Sequence, residues 1–140
     1  MRIGFFDSGV GGLTVLARAL KEIPGADFLY YADTRHVPYG TKTKDEVRAY
    51  TLEAADFLFR QGAEVLVVAC KPKDVGGLLA EVGGRFRQGQ ILLSMAAGIT
   101  TRYIEERVTP GVVVIRAMPN TSCQVGESAT AICGGRFATP

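Results

Sequence analysis

The sequence contains no tryptophan, a single histidine and three cysteines, and its charges nearly balance. The cysteines have no CxxC spacing, which argues against a disulfide framework or a zinc site, so we expect reduced thiols and no metal. A formal net charge of +2 without a lysine or arginine cluster predicts no nucleic-acid partner. No apolar run approaches the length of a membrane span, so we predict no membrane partner and a cytoplasmic location.

Short apolar runs alternate with segments of helical periodicity along the 140 residues. Strands are predicted at residues 2–6, 27–31, 65–70, 91–94 and 112–115, with a candidate edge strand at 129–133. Residues 43–46 fit a capping box that opens the second helix, a short helix is predicted over residues 99–108, and the tail from 134 to 140 is predicted to be unstructured. This pattern predicts a single α/β domain over residues 1–140. Its expected architecture is a three-layer open parallel sheet, flavodoxin-like or Rossmann-like, with strand order 2-1-3-4-5 and the sixth strand at the edge.

Five apolar residues from Val65 to Ala69 predict a strand buried on both faces, and Cys70 follows at its carboxyl end. Ligands of open α/β sheets bind at that end. Cys70 is therefore either a reactive thiol or a small buried hydrophobic residue, and composition alone favours the second. Asp7 ends the neighbouring strand in a 2-1-3 order, so both side chains could face one crevice.

The glycine-rich turn after Asp7 precedes a helix, where free backbone N–H groups favour a carboxylate or phosphate. It is not a dinucleotide fingerprint, because Thr14 stands where the third glycine would be, and a purely structural turn is equally consistent with it. We expect His36 to be a solvated loop residue and Cys133 to pack in the edge strand. The helix after Pro72 contains four glycines, so we expect it to be the least stable.

The first half of the chain resembles glutamate racemase. The resemblance is carried by four motifs, FDSGVGGLTV (6–15), YADT (31–34), VPYGTK (37–42) and VVAC (67–70). It implies a cofactor-independent racemase with two opposed thiol bases. The implied catalytic positions are Asp7 and Cys70. The implied substrate-binding positions are Ser8, Pro38, Tyr39 and Gly40.

From residue 71 onward the chain resembles pyrroline-5-carboxylate reductase. The motifs are KPKDV (71–75), SMAAGIT (94–100), EER (105–107), MPNT (118–121), VGE (125–127) and ATA (129–131). The resemblance implies the second half of an NADP-binding Rossmann domain. The implied cofactor-binding positions, on the nicotinamide side, are Lys71, Pro72, Met118, Pro119 and Asn120.

The sequence contains only part of each family's pattern. The second domain of the racemase, with its opposing cysteine, is missing. The G-x-G-x-x-G segment and the helical domain of the reductase are missing as well. We therefore predict a recombined, engineered chimera of residues 1–70 and 71–140, without an evolved catalytic function and not an enzyme, whose site residues are vestigial. Two alternatives stay open, a module that binds a small carboxylate, phosphate or nucleotide, and residual racemase-like α-proton exchange. We expect no cofactor beyond weak NADP binding, and self-association through former domain interfaces or sheet edges.

Overall fold

The computed structural model describes residues 1–7, 13–68, 72–120 and 129–139, apart from the side chains of Thr14 and Asp74. The strands in these ranges are β1 (Arg2–Asp7), β2 (Asp27–Ala32), β3 (Val65–Val68), β4 (Ile91–Ser94), β5 (Val113–Pro119) and β6 (Thr130–Gly134). The α-helices are α1 (Leu13–Glu22), α2 (Lys44–Arg60), α3 (Pro72–Val82) and α4 (Thr101–Glu105). The strands form one sheet in the order β2-β1-β3-β4-β5-β6. The predicted α/β class and strand order are therefore confirmed.

The sixth strand exists, but it runs antiparallel to β5. Its pairing extends from Ile115 opposite Gly134 to Pro119 opposite Thr130. The sequence predicted a fifth strand over residues 112–115, which ends at Ile115. That prediction was wrong because β6 supplies hydrogen-bond partners for the second half of β5, so the extended conformation continues to Pro119.

The chain separates into two compact units, Met1–Glu64 and Val65–Pro140. Unit 1 contains β1, α1, β2 and α2, and unit 2 contains β3 to β6 with α3 and α4. The boundary lies close to the predicted family junction between residues 70 and 71. A single domain over the whole chain stays a prediction.

In unit 1 the predicted capping box opens α2. The Thr43 side chain accepts a hydrogen bond from the Glu46 backbone N–H at 3.3 Å, and the Thr43 N–H donates to the Glu46 carboxylate at 2.8 Å. These bonds satisfy donors that a helix N-terminus leaves unpaired. The helix packs closely on β1, since a Cβ added at Gly4 would lie 3.1 Å from the Ala63 Cβ and 3.3 Å from Leu58 Cδ1.

In unit 2 the core consists of apolar side chains from β3, α3, β4, α4 and β5. The largest of those that are less than 2% exposed are Leu79, Leu92, Ile104, Val68, Val75, Val82, Val112 and Val114. The strand β3 is less buried than predicted, because Val67 is 43% exposed. Residues two apart in a strand share a face, and Val65 on that face is 8% exposed, so the described residues cover the face at Val65 but leave it open at Val67.

The glycines near the end of α3 permit a close approach. A Cβ added at Gly83 would lie 1.9 Å from the Arg107 carbonyl oxygen, whereas one added at Gly84 would meet nothing within 4 Å. The Gly83 carbonyl also accepts a hydrogen bond from the Thr109 N–H at 3.0 Å. Gly83 is thus required for packing. The sequence analysis had counted this glycine only as a loss of helix stability. Whether α3 is the least stable helix stays a prediction.

The helix α4 is shorter than the predicted span of residues 99–108. Thr100 caps it by accepting a hydrogen bond from the Tyr103 N–H at 3.1 Å. Thr100 itself has an extended backbone, with φ −78° and ψ 156°, so the helix begins at Thr101 and not at residue 99.

The tail after β6 is ordered up to residue 139, contrary to the prediction. The Gly135 N–H donates to the Val114 carbonyl at 2.8 Å, and the Arg136 N–H donates to the Glu105 carboxylate. These backbone bonds join the tail to β5 and α4, which local sequence could not indicate. Cys133 lies in β6, as expected, but it is exposed rather than packed.

Candidate functional site

Two carboxylates lie at the carboxyl ends of the adjacent strands of unit 1. Asp7 is the last residue of β1 and pairs with Ala32, the last residue of β2. Asp33 follows, and its N–H donates to the Asp7 carbonyl at 2.9 Å. The Tyr30 hydroxyl donates to Asp7 Oδ2 at 2.6 Å. Both acids therefore lie at the carboxyl ends of the strands, where open α/β sheets bind ligands.

Asp33 is only 4% exposed and is surrounded by donors from the loop that follows it. The Tyr39 hydroxyl donates to Oδ2 at 2.6 Å, and His36 Nδ1 lies 2.8 Å from Oδ2 and 2.9 Å from Oδ1. The Arg35 N–H reaches Oδ1 at 3.3 Å. A buried carboxylate is tolerated when such partners replace its water, so this group can remain ionised.

Aromatic rings surround this carboxylate. The His36 ring stacks on Tyr50 of α2 with centroids 3.7 Å apart and planes within 10°. The Tyr39 ring lies 6.4 Å from Phe6 and 6.0 Å from Tyr50. His36 was predicted to be a solvated loop residue, and this was wrong: it is half-buried between Asp33 and Tyr50.

The contacts shift the acidities of these groups. Burial by itself raises the pKa of Asp33, but the hydrogen bonds from Tyr39 and His36 outweigh burial and hold that pKa below its ordinary value. Burial and the bond to the Asp33 carboxylate raise the pKa of Tyr39. Burial and the bond to Asp7 likewise raise the pKa of Tyr30 to about 12. Both tyrosines are therefore neutral donors near neutral pH.

The predicted substrate-binding turn is part of the same cluster. Pro38 and Gly40 are exposed on either side of the half-buried Tyr39, and the Val37–Pro38 peptide bond is cis. The Thr41 N–H donates to the Pro38 carbonyl at 3.3 Å and closes a single 3₁₀ turn. Of the racemase-like positions, the structure thus groups Asp7, Pro38, Tyr39 and Gly40 at one end of unit 1. Ser8 and Cys70 lie outside the described residues.

The reductase-like positions are found in unit 2. Pro72 begins α3, and Met118 and Pro119 end β5, with Met118 43% exposed. The Asn120 N–H donates to the Ala129 carbonyl at 3.3 Å, which closes the ladder between β5 and β6. Lys71 lies outside the described residues.

A separate open pocket of about 500 Å³ occurs in unit 2. Its charged side chains interact locally: Arg102 pairs with Glu106 at 3.0 Å, and the Arg136 guanidinium lies 5.6 Å from the Phe137 ring centroid. None of the residues predicted as site residues lines this pocket. The described part of the chain contains no cluster of three or more His, Cys, Asp or Glu side chains suited to a metal, and none of its helices has the length and apolarity of a membrane span.

The sequence reading missed Asp33, His36 and Tyr50. The sequence did hold a signal for Asp33, because this residue directly follows an apolar strand. It therefore had to lie at the carboxyl ends of the strands, where ligands bind. The partners of its carboxylate depend on how the loop folds back, which residue spacing does not reveal.

No family model matches the chain. Among curated proteins, the glutamate racemase of Halothermothrix orenii is 64% identical over 70 residues, which cover 50% of this chain and 28% of that protein. The glutamate racemase of Campylobacter curvus is 56% identical over 70 residues and 26% of its length. The chain thus spans little more than a quarter of these relatives.

Among solved structures, pyrroline-5-carboxylate reductases share the fold over nearly the whole chain. The pyrroline-5-carboxylate reductase of Coxiella burnetii superposes with a TM-score of 0.63 at 19% identity, covering 98% of this chain and 50% of that one. The Plasmodium falciparum reductase, solved with NADP bound, gives a TM-score of 0.60 at 22% identity, covering 99% and 50%. At these identities the likeness concerns the fold.

Both families recognised in the sequence therefore appear in the comparisons, which confirms that recognition. The prediction that the chain is not an enzyme was wrong. Identities of 64% and 56% to glutamate racemases over half of the chain point to an enzyme family. The prediction had rested only on segments of the two families that the sequence does not contain.

Proposed function

We propose that this chain binds glutamate or a closely related amino acid at the carboxyl ends of β1 and β2 and exchanges the α-proton of that substrate with solvent. The observation that carries the proposal is the grouping of Asp7, Asp33 and Tyr39 at that edge, in the half whose relatives are named glutamate racemases. A carboxylate held in place suits the ammonium group of an amino acid. The backbone N–H groups expected after Asp7 suit the α-carboxylate of the same amino-acid substrate.

The proposed step is a proton transfer through Cys70, the residue to which the racemase resemblance assigns it. The substrate Cα–H bond breaks, its proton passes to the Cys70 thiolate, and its electron pair stays on the substrate. The thiol proton then exchanges with solvent, and a solvent proton returns to the same carbon. With one thiol base the proton leaves and returns on one face, so we expect exchange with retained configuration.

Incubation of each glutamate enantiomer with the protein in heavy water tests this proposal. We expect the α-proton NMR signal of one enantiomer to fall while its optical rotation persists. The matched control is Cys70→Ala, which removes the thiol and should abolish exchange. Equal loss of the α-proton signal in the wild type and in Cys70→Ala, or no loss in either, would contradict the proposal.

A second candidate is weak nucleotide binding by unit 2. Met118 is exposed at the carboxyl end of β5, and Pro72 begins the helix after β3. Residues at the carboxyl ends of parallel strands are suited to bind a ligand, which supports the predicted nicotinamide-side positions. Calorimetric titration with NADP tests this. Saturable heat that is reduced in Met118→Ala supports it, and a signal no larger than that of buffer argues against it.

We further propose that the chain arose by joining a racemase piece to a reductase piece near β3. The racemase matches cover half of the chain, and the two compact units meet at residues 64 and 65. Discovery of the same joined reading frame in a natural genome would rule out joining in the laboratory.

A further inference from the structure

Asp33 differs from the other described acids in being almost fully buried. It is 4% exposed, and every polar contact that the structure gives its carboxylate comes from residues 35–39. Asp27, the first residue of the strand that Asp33 follows, has a side chain that is 75% exposed and lies 3.5 Å from the Arg2 guanidinium. The burial of Asp33 is therefore a specific arrangement and not a property of acids along β2.

The bonds to Asp33 determine the path of the loop. Tyr39 and His36 both donate to this one carboxylate, at 2.6 Å and 2.8 Å. Their rings then pack on Tyr50, which is fixed in α2. The loop is held on one side by a buried charge and on the other by a helix, and Pro38 and Gly40 are left exposed beside Tyr39.

The carboxylate of Asp33 has little capacity for a further ligand. Oδ2 already faces two donors, and Oδ1 faces the Arg35 N–H and His36 Nδ1. Asp7, one strand away, is half-buried and lies beside the ring system through its neighbour Phe6. Of the two acids, Asp7 is thus the one suited to touch a substrate, and Asp33 is suited to act through Tyr39.

We propose that Asp33 is a positioning residue that fixes the Pro38-Tyr39-Gly40 turn in the conformation that receives the amino-acid substrate. The inference rests on the proposed function and adds to it the group that orders the binding turn. The low pKa of Asp33 is consistent with this role, because the carboxylate stays charged and keeps accepting from Tyr39.

The test compares Asp33→Asn with Asp27→Asn, the same substitution at the two ends of β2. Loss of the charge at Asp33 weakens its bond to Tyr39 and leaves the turn less ordered. We expect the KM of α-proton exchange on glutamate to rise about tenfold, with a smaller change in kcat. Asp27→Asn should leave both within about twofold of wild type, since exposed ion pairs contribute little.

Amide hydrogen exchange provides a readout that needs no substrate. The N–H groups of Thr41 and Lys42, which close the turn, should exchange at least several-fold faster in Asp33→Asn and in Tyr39→Phe, while those of α2 keep their protection. Tyr39→Phe keeps the ring and removes only the donor, so it serves if Asp33→Asn fails to fold.

The outcomes separate the two proposals. A wild-type protein that neither binds nor exchanges glutamate contradicts the proposed function, and the hydrogen-exchange comparison still decides the role of Asp33 in the turn. A wild type that exchanges glutamate, together with variants whose KM and turn amides are unchanged, overturns the positioning role alone.

Discussion

The two units are stabilised in different ways. Among the residues that the structure describes, all the large side chains that are less than 2% exposed belong to unit 2, for example Leu79, Leu92 and Ile104. In unit 1 much of the packing consists of half-buried aromatic rings and hydrogen bonds to Asp7 and Asp33, and its helix α1 leaves Leu20 52% exposed. Unit 2 thus has the denser apolar core, whereas unit 1 has the carboxylates of Asp7 and Asp33 with their tyrosine and histidine partners.

The first prediction breaks the apolar core of unit 2. Leu92→Ala removes a fully buried side chain of β4 and leaves a cavity, so we expect the free energy of unfolding to fall by about 2–5 kcal/mol. The matched change in unit 1, Leu20→Ala, should cost less than about 1 kcal/mol, because that side chain is half exposed. Urea unfolding followed by circular dichroism measures both. Equal losses would contradict the contrast between the units.

The second prediction concerns close packing within unit 2. Gly83→Ala would place a methyl group against the Arg107 carbonyl oxygen, and we expect it to lower the free energy of unfolding by about 1–3 kcal/mol. Gly84→Ala, where a Cβ has open space, should change it by less than about 1 kcal/mol. The same urea experiment compares them. If Gly84→Ala proved the more damaging, the packing role of Gly83 would be wrong.

The third prediction uses pH to weaken unit 1. The pKa of Asp33 is lower in the folded chain than its ordinary value, so its contribution to stability is complete above that ordinary value and is lost as the pH falls through the folded pKa. We expect the wild type to lose stability below about pH 4 and Asp33→Asn to lose less over the same interval. Thermal unfolding from pH 7 to pH 2 measures this, and identical slopes for the two proteins would refute it.

The fourth prediction concerns self-association, where the two units differ in their exposed surfaces. All residues of β6 are exposed, Ile132 to 70%, and an exposed edge strand can pair with a second chain. Ile132→Lys should shift a concentration-dependent sedimentation coefficient toward that of the monomer. Val15→Lys on α1, 58% exposed, should have a smaller effect. A sedimentation coefficient independent of protein concentration in the wild type would contradict this prediction.

What the sequence predicted well was local or periodic. The Thr43–Glu46 capping box depends on residues three apart, and the strand order follows from right-handed crossovers between parallel strands. The length of β5, the ordered tail and the exposure of Val67 depend instead on partners distant in the sequence.

The candidate site shows the same division. Asp7 and the Pro38-Tyr39-Gly40 turn were identified from the racemase resemblance, and the structure brings them to one end of unit 1. The contact between Asp33 and His36 was not predicted. In the sequence Asp33 is only the first residue after a strand, and the contact forms because the loop that follows folds back onto its carboxylate. Buried polar contacts of this kind depend on the folded loop and not on residue type.

Chemical-shift mapping of backbone amides during a glutamate titration tests the central contrast most directly. We predict saturable shifts concentrated at Phe6, Asp7 and residues 33–42 of unit 1 and at Cys70, the proposed thiol base, with the other residues of unit 2 unchanged. Shifts concentrated in unit 2, or no saturable shifts at millimolar glutamate, would contradict the assignment of amino-acid chemistry to the end of unit 1 where Asp7 and Asp33 meet.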